Sequence, residues 1–156
     1  MRDHADLAHD PDGLATRLVA AFPEAVDRAG DVRVVFAPGR VNLIGEHTDY
    51  NEGYVLQVAI DLGIAIALLP TDDGIVRLTL AETGETGEFR ASDAGARRGG
   101  WVDYVAGMAW ALGEAGLAPR GFRGILASNL PHGAGLRLPH RRPRGFVAAR
   151  TAKTDF

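Results

Sequence analysis

At 156 residues, with 46% hydrophobic and 24% charged positions, the chain can bury one ordinary globular core, and a single domain is expected. It contains no run of eighteen apolar residues, which excludes a transmembrane helix of usual length, and its polar start Met1-Arg2-Asp3-His4-Ala5-Asp6 does not resemble a signal peptide, so a cytoplasmic location without membrane contact is expected. The lack of cysteine excludes disulfides and thiolate metal sites, while the net charge of −3 hides a break: the first 136 residues carry 11 arginines against 19 acids, whereas residues 137–156 carry Arg137, Arg141, Arg142, Arg144, Arg150 and Lys153 against Asp155.

Asp10-Pro11 reads as a helix start, with Asp as N-cap and Pro in the first helical position, and Leu14, Leu18 and Phe22 then recur on one face. Pro23 ends or bends that helix, and residues 24–28 add at most a turn before Gly30. Residues 32–36 form a short β-branched run that leads into Ala37-Pro38-Gly39-Arg40-Val41-Asn42-Leu43-Ile44-Gly45-Glu46-His47-Thr48-Asp49-Tyr50-Asn51-Glu52-Gly53. Here Pro38-Gly39 predicts a turn, residues 41–44 a short buried strand, and residues 50–53 a second turn. Gly45 is expected to take a backbone conformation closed to other residues.

Arg40, Glu46, His47 and Asp49 put four ionisable groups within ten residues around that apolar strand, a pattern that reads as a strand delivering a polar cluster to a cleft. Several acceptors and donors on one loop suit a polyhydroxylated ligand, because each hydroxyl needs a partner once water is excluded. Arg40, always charged, would stabilise negative charge at a reacting centre or depress a neighbouring carboxylate. The alternative reading is a solvated turn with a structural Arg-Asp pair.

Residues 54–69 are the most apolar stretch and predict one or two strands, with Asp61 placed at a strand end. Thr71-Asp72-Asp73-Gly74 is a turn, residues 75–80 a half-exposed strand, and residues 82–90 a hairpin with a short edge strand. After the loop Arg97-Arg98-Gly99-Gly100, a helix is expected with Trp101, Tyr104 or Val105, Met108 and Leu112 on its core face and Asp103 in its first turn. Gly113 and residues 116–119 stop it, and residues 122–128 form a strand ending at Asn129. Leu130-Pro131-His132-Gly133-Ala134-Gly135-Leu136 follows, a glycine-containing segment of the kind whose backbone N–H groups can approach a polyphosphate. It is not the Walker pattern, since no lysine precedes Lys153.

The run from Gly39 to Asn51 resembles the galactokinase signature without a gap. The resemblance implies membership of the galactokinase, homoserine, mevalonate and phosphomevalonate kinase group, and with it ATP-dependent phosphorylation of D-galactose at its anomeric hydroxyl, with ATP and Mg2+ as cofactors. It also implies an α+β lobe: a mixed sheet with helices on one side, here incomplete. Carried over by position, Glu46, His47, Thr48 and Asp49 would bind the sugar and Arg40 would stabilise the transition state. Pro131, His132, Gly133, Ala134, Gly135 and Leu136 would hold ATP phosphates, and Trp101 would either stack near adenine or anchor the core.

The resemblance covers residues 1–136 and breaks after Leu136, where the family continues with serines that open a helix and help hold the metal. Arg137-Leu138-Pro139-His140-Arg141-Arg142-Pro143-Arg144 replaces them, so no metal ligand or catalytic base is assigned to this chain, and residues 137–156 are expected to be a disordered basic tail. Codons compatible with residues 136–140 become Leu-Ser-Ser-Ser-Ala on insertion of one base, so a frameshift would account for the tail. A tail selected for binding nucleic acid is the competing account, weakened because no aromatic platform accompanies its arginines. The expected product is therefore an incomplete galactokinase, with a non-catalytic galactose-binding fragment or regulator as the alternative, and either a monomer or an aggregation-prone polypeptide.

Overall fold

The fold is a computed structural model that describes residues 4–45, 53–117, 119–130 and 150–152. A short 3-10 segment, His4–His9, precedes helix α1, Pro11–Ala21. The start of α1 follows the local chemistry: the Asp10 carboxylate accepts the Gly13 N–H at 2.9 Å, satisfying a first-turn donor that has no helical partner. A second 3-10 stretch, Pro23–Asp31, kinks at Arg28 and leads into strand β1, Arg33–Ile44. Then come β2 (Leu56–Thr71), β3 (Ile75–Leu80), β4 (Thr86–Arg90), α2 (Val102–Glu114), β5 (Gly121–Ser128) and β6 (Arg150–Ala152).

The six strands form one sheet in the order β4-β3-β5-β2-β1-β6, in which β3 and β5 run parallel and every other pair is antiparallel. The expected α+β architecture with a mixed sheet is therefore present. The helices, however, lie on both faces and not on one side. Leu14, Leu18 and Phe22 of the first helical segment pack on Ala65, Ala67, Leu69, Ile125 and Ala127. Val102, Ala106 and Ala109 of α2 pack on Val76, Leu78 and Phe89, with Ile66 and Phe122 beside them. Successive side chains of a strand point to opposite faces, so residues 65, 67 and 69 of β2 face α1 while residue 66 faces α2. Alanines at 65, 67 and 127 let α1 approach closely enough to seal Leu14 and Leu18 completely, each contributing roughly 1.5–3 kcal/mol.

Four further expectations are corrected. Pro38-Gly39 is not a turn: β1 runs through it, and the irregularity falls on the partner strand. Residues 41–44 are strand but not buried, since Leu43 is 61% and Ile44 69% exposed. The reason is topological. β5 supports β2 only from Ile64 to Thr71, so beyond Gly63 the β1–β2 pair projects as a two-stranded ribbon with no third strand beneath it among the described residues. On α2 Trp101 and Val105 pack against the core as expected, but the buried stripe is Val102, Ala106 and Ala109, whereas Tyr104, Met108 and Leu112 are exposed. Finally, three residues of the tail form β6 and pair with β1 at Val34, Val35 and Phe36, where a disordered tail was expected. Residues 137–149 and 153–156 lie outside the described residues.

Candidate functional site

The signature residues are carried by the β1–β2 ribbon. Val41 pairs with Val58, Asn42 with Gln57 and Ile44 with Leu56, and Gly45 at φ 96° then turns the chain out of the strand, a left-handed conformation that suits glycine. Glu46, His47, Thr48 and Asp49 fall in the connection between β1 and β2 and lie outside the described residues. Arg40 is described: it is exposed and pairs across the ribbon with Ala59.

A bulge separates Arg40 from the well-supported half of the sheet. Pro38 pairs with Gly63 and Arg40 with Ala59, so the single residue Gly39 opposes Ile60, Asp61 and Leu62. Asp61 therefore sits within the bulge of β2 and not at a strand end, and its fully exposed carboxylate reaches His9 Nε2 at 3.4 Å. Gly63 lets the strands approach at this point. A Cβ there would strike the Ala37 carbonyl oxygen and the Phe36 ring.

The end of β5 is brought to the same place. Asn129 exchanges two bonds with Gly63: its N–H donates to the Gly63 carbonyl at 3.2 Å, and the Gly63 N–H donates to its Oδ1 at 2.7 Å. Leu130 then lies against Gly39, with Cδ2 only 2.8 Å from the position a Cβ on that glycine would take. Residues 131–136, the expected phosphate segment, lie outside the described residues, but the residue that leads into them touches the neighbour of Arg40. The topology thus brings the signature strand beside Leu130, the last described residue before the glycine-containing segment.

Trp101 lies towards the other edge of the sheet. It precedes α2, packs with the core of Val76, Leu78 and Phe89, and its ring lies over Gly87 of β4. Four inter-strand steps separate β4 from β1, on the order of 20 Å, so Trp101 and Arg40 are not brought together. Asp103 in the first turn of α2 accepts the backbone N–H groups of Arg98 and Gly99, which hold its carboxyl below the usual range. No three His, Asp or Glu side chains among the described residues form a group able to hold a metal, so Mg2+ has no described ligands here.

One charged cluster is not legible from spacing. Arg123, inside the apolar strand β5, is buried and donates from Nε to Glu24 Oε1 at 2.8 Å, from Nη1 to the Ile75 carbonyl at 2.9 Å, and from Nη2 to Asp73 Oδ2. Burial works against its charge, yet the bonds to Asp73 and Glu24 outweigh it and hold its pKa above the ordinary value. Asp73 is held well below the carboxylate range by the Arg123 guanidinium and the Ile75 N–H, and Glu24 is lowered by its own backbone and by Arg123. The available signal was an arginine in the middle of an otherwise apolar strand, which must find acids when that face is covered.

A family model described as the galactokinase galactose-binding signature matches residues 20–70. The galactokinase of Roseiflexus sp. (strain RS-1) is 44% identical over 103 residues, which are 66% of this chain and 26% of that protein. Among solved structures, the galactokinase of Lactococcus lactis, in complex with galactose, superposes with a TM-score of 0.64 at 33% identity, over 78% of this chain and 33% of that one. The mevalonate kinase of Methanococcus jannaschii superposes with a TM-score of 0.54 at 21% identity, over 65% and 34% of the two chains, and shares the fold. The chain spans about a quarter to a third of the length of the curated relatives it matches.

Proposed function

This chain is the counterpart of the N-terminal part of the galactokinase family, and from that premise we propose that it carries the galactose-binding portion of a site for ATP-dependent phosphorylation of D-galactose at its anomeric hydroxyl. The observation that carries the reading is the meeting of Gly39 and Leu130, which sets the strand of Arg40 beside the entry to the glycine-containing segment. A sugar held within reach of Arg40 and a polyphosphate on the segment after Leu130 would then be neighbours, as transfer between them requires.

In this reading Glu46, His47 and Asp49 orient the sugar through its hydroxyls, with Thr48 in the same loop. Arg40 stabilises the charge that develops during transfer. Backbone N–H groups of residues 131–136 approach the phosphates of ATP. Mg2+ would neutralise phosphate charge when bound, and the serines that hold it in the family are replaced here by Arg137, Leu138 and Pro139. Trp101 enters this reading as the anchor of α2, and the cytoplasm, where ATP is available, is the proposed location.

A non-catalytic, galactose-binding product is the second reading, favoured by the uncovered ribbon and by the altered sequence after Leu136. Calorimetric titration with galactose and an ADP-release assay separate the two. Binding without ADP release supports the second, and binding with release supports the first. Asp49→Ala should weaken galactose binding about tenfold or more by leaving a sugar hydroxyl unpaired. Unchanged affinity in the folded variant would remove the sugar assignment.

A further inference from the structure

Asn129 is held by more contacts than a strand end needs. Because the Gly63 N–H occupies its Oδ1, its amide nitrogen is turned towards His9 Nδ1, 3.2 Å away. An amide NH2 group has only hydrogens to offer, so Nδ1 must accept, and the proton of a neutral His9 ring belongs on Nε2. Nε2 in turn faces the Asp61 carboxylate in the bulge, and the ring rests beside Phe36 with centroids 5.4 Å apart. One histidine at the end of the first 3-10 segment thus ties together β1, the bulge of β2 and the end of β5. Immediately beyond Asn129, the Leu130 N–H donates to Ser128 Oγ at 3.3 Å, and its side chain lies on Gly39.

We propose that His9, as its Nε2–H tautomer, and Asn129 are positioning residues that fix where the chain leaves β5 beside Arg40. The inference deepens the proposed function and rests on its reading of the segment after Leu130 as a nucleotide-phosphate loop. Stability is not the purpose of the arrangement, since His9 and Asp61 are solvent-exposed and such pairs contribute little. Its effect is directional: with the Asn129 amide fixed at both ends, Leu130 has one seat, against Gly39.

The test uses the 156-residue chain. A long-range 1H–15N spectrum at neutral pH is expected to show the His9 proton on Nε2. His9→Ala is expected to speed amide exchange at Gly63 and Leu130 about tenfold through loss of one hydrogen bond, with Ile125 and the thermal midpoint unchanged. His9→Asn, which returns an acceptor near the Nδ1 position, is expected to restore slow exchange. A proton on Nδ1, exchange at Leu130 indifferent to His9→Ala, or failure of His9→Asn to rescue it overturns the proposal. A fluorescent ATP analogue probes the nucleotide reading separately. Binding that weakens about tenfold in His9→Ala and recovers in His9→Asn supports both ideas, whereas binding unchanged in His9→Ala overturns the positioning role. A wild-type chain that does not bind the analogue sinks the nucleotide reading, and the tautomer and exchange results still decide whether His9 and Asn129 position Leu130.

Discussion

Replacing Arg123 by Met tests the reading of the buried arginine as the tie between the turn after β2, the segment after α1 and strand β5. Methionine retains much of the buried stem while removing three bonds, to Glu24, Asp73 and the Ile75 carbonyl. An orphaned buried charge would cost about 3–5 kcal/mol, but that figure does not apply here. The Glu24 and Asp73 side chains are 43% and 39% exposed and can rehydrate once the guanidinium is gone. What remains is the loss of one bond to a backbone carbonyl and of two partly wet ion pairs, about 2 kcal/mol in all, or a fall in melting temperature of about 4–8 °C for a chain of this size. Both carboxyls are held below their ordinary range in the folded chain. Their contribution is therefore complete above the ordinary carboxylate value of about 4 and is lost as falling pH protonates them in the folded state. Urea denaturation of wild type and variant at pH 7 and pH 2 should show the gap narrowing in acid. A gap that is absent at pH 7, or equal at the two pH values, would refute the argument.

Gly63→Ala should cost about 3 kcal/mol, because the added methyl meets the Ala37 carbonyl and the Phe36 ring across the bulge; an unchanged urea midpoint would contradict the close approach. Asp10→Ala should cost about 1 kcal/mol by removing the acceptor for the Gly13 N–H, whereas Asp10→Asn should retain most of it, as thermal melts of the two variants would show. Leu43→Lys with Ile44→Lys should reduce self-association in sedimentation velocity while leaving the melting temperature nearly unchanged, because both side chains are exposed. Association that persists in the double variant would place the adhesive surface elsewhere.

Local chemistry made the elements legible where it was strong. Asp10-Pro11 marked a helix start that the Asp10 cap realises, and Leu14, Leu18 and Phe22 marked the face that α1 buries. The turn at residues 71–74 and the alternation along β3 also appear as read, with Val76 and Leu78 inside. The failures share a cause: periodicity identifies an apolar face but not what will cover it. Residues 41–44 carry a core pattern yet project beyond β5, and Met108 and Leu112 carry a core pattern yet are exposed, off the stripe of Val102, Ala106 and Ala109 that meets the sheet. Pro38-Gly39 has turn chemistry, but an edge of the ribbon tolerates proline, and the two extra residues of β2 absorb the mismatch. Arg40 lies on the strand that carries the motif. The Asn129–His9 contact was not, because 120 residues separate the partners and nothing local announces the pairing.

In the proposed reading, the placement of the signature on a projecting ribbon bears on how tightly a sugar would be held. A polar loop binds well when rigid elements fix its side chains before the ligand arrives, since ordering one residue costs roughly 1–2 kcal/mol. Here the supports of the connection are β1 and β2 beyond the bulge, two strands with exposed Leu43, Ile44 and Leu56 and no third strand beneath them among the described residues. A two-stranded ribbon without cover is marginal on its own. In the proposed reading, any rearrangement of the ribbon on binding offsets part of the gain from the bonds that Glu46, His47 and Asp49 would offer. The fold thus separates two properties that a motif match merges: residues suited to grip a hexose, and a scaffold stiff enough for the grip to yield affinity. The bonds of Asn129 to Gly63 and His9 at the bulge are the described contacts that bear on that stiffness.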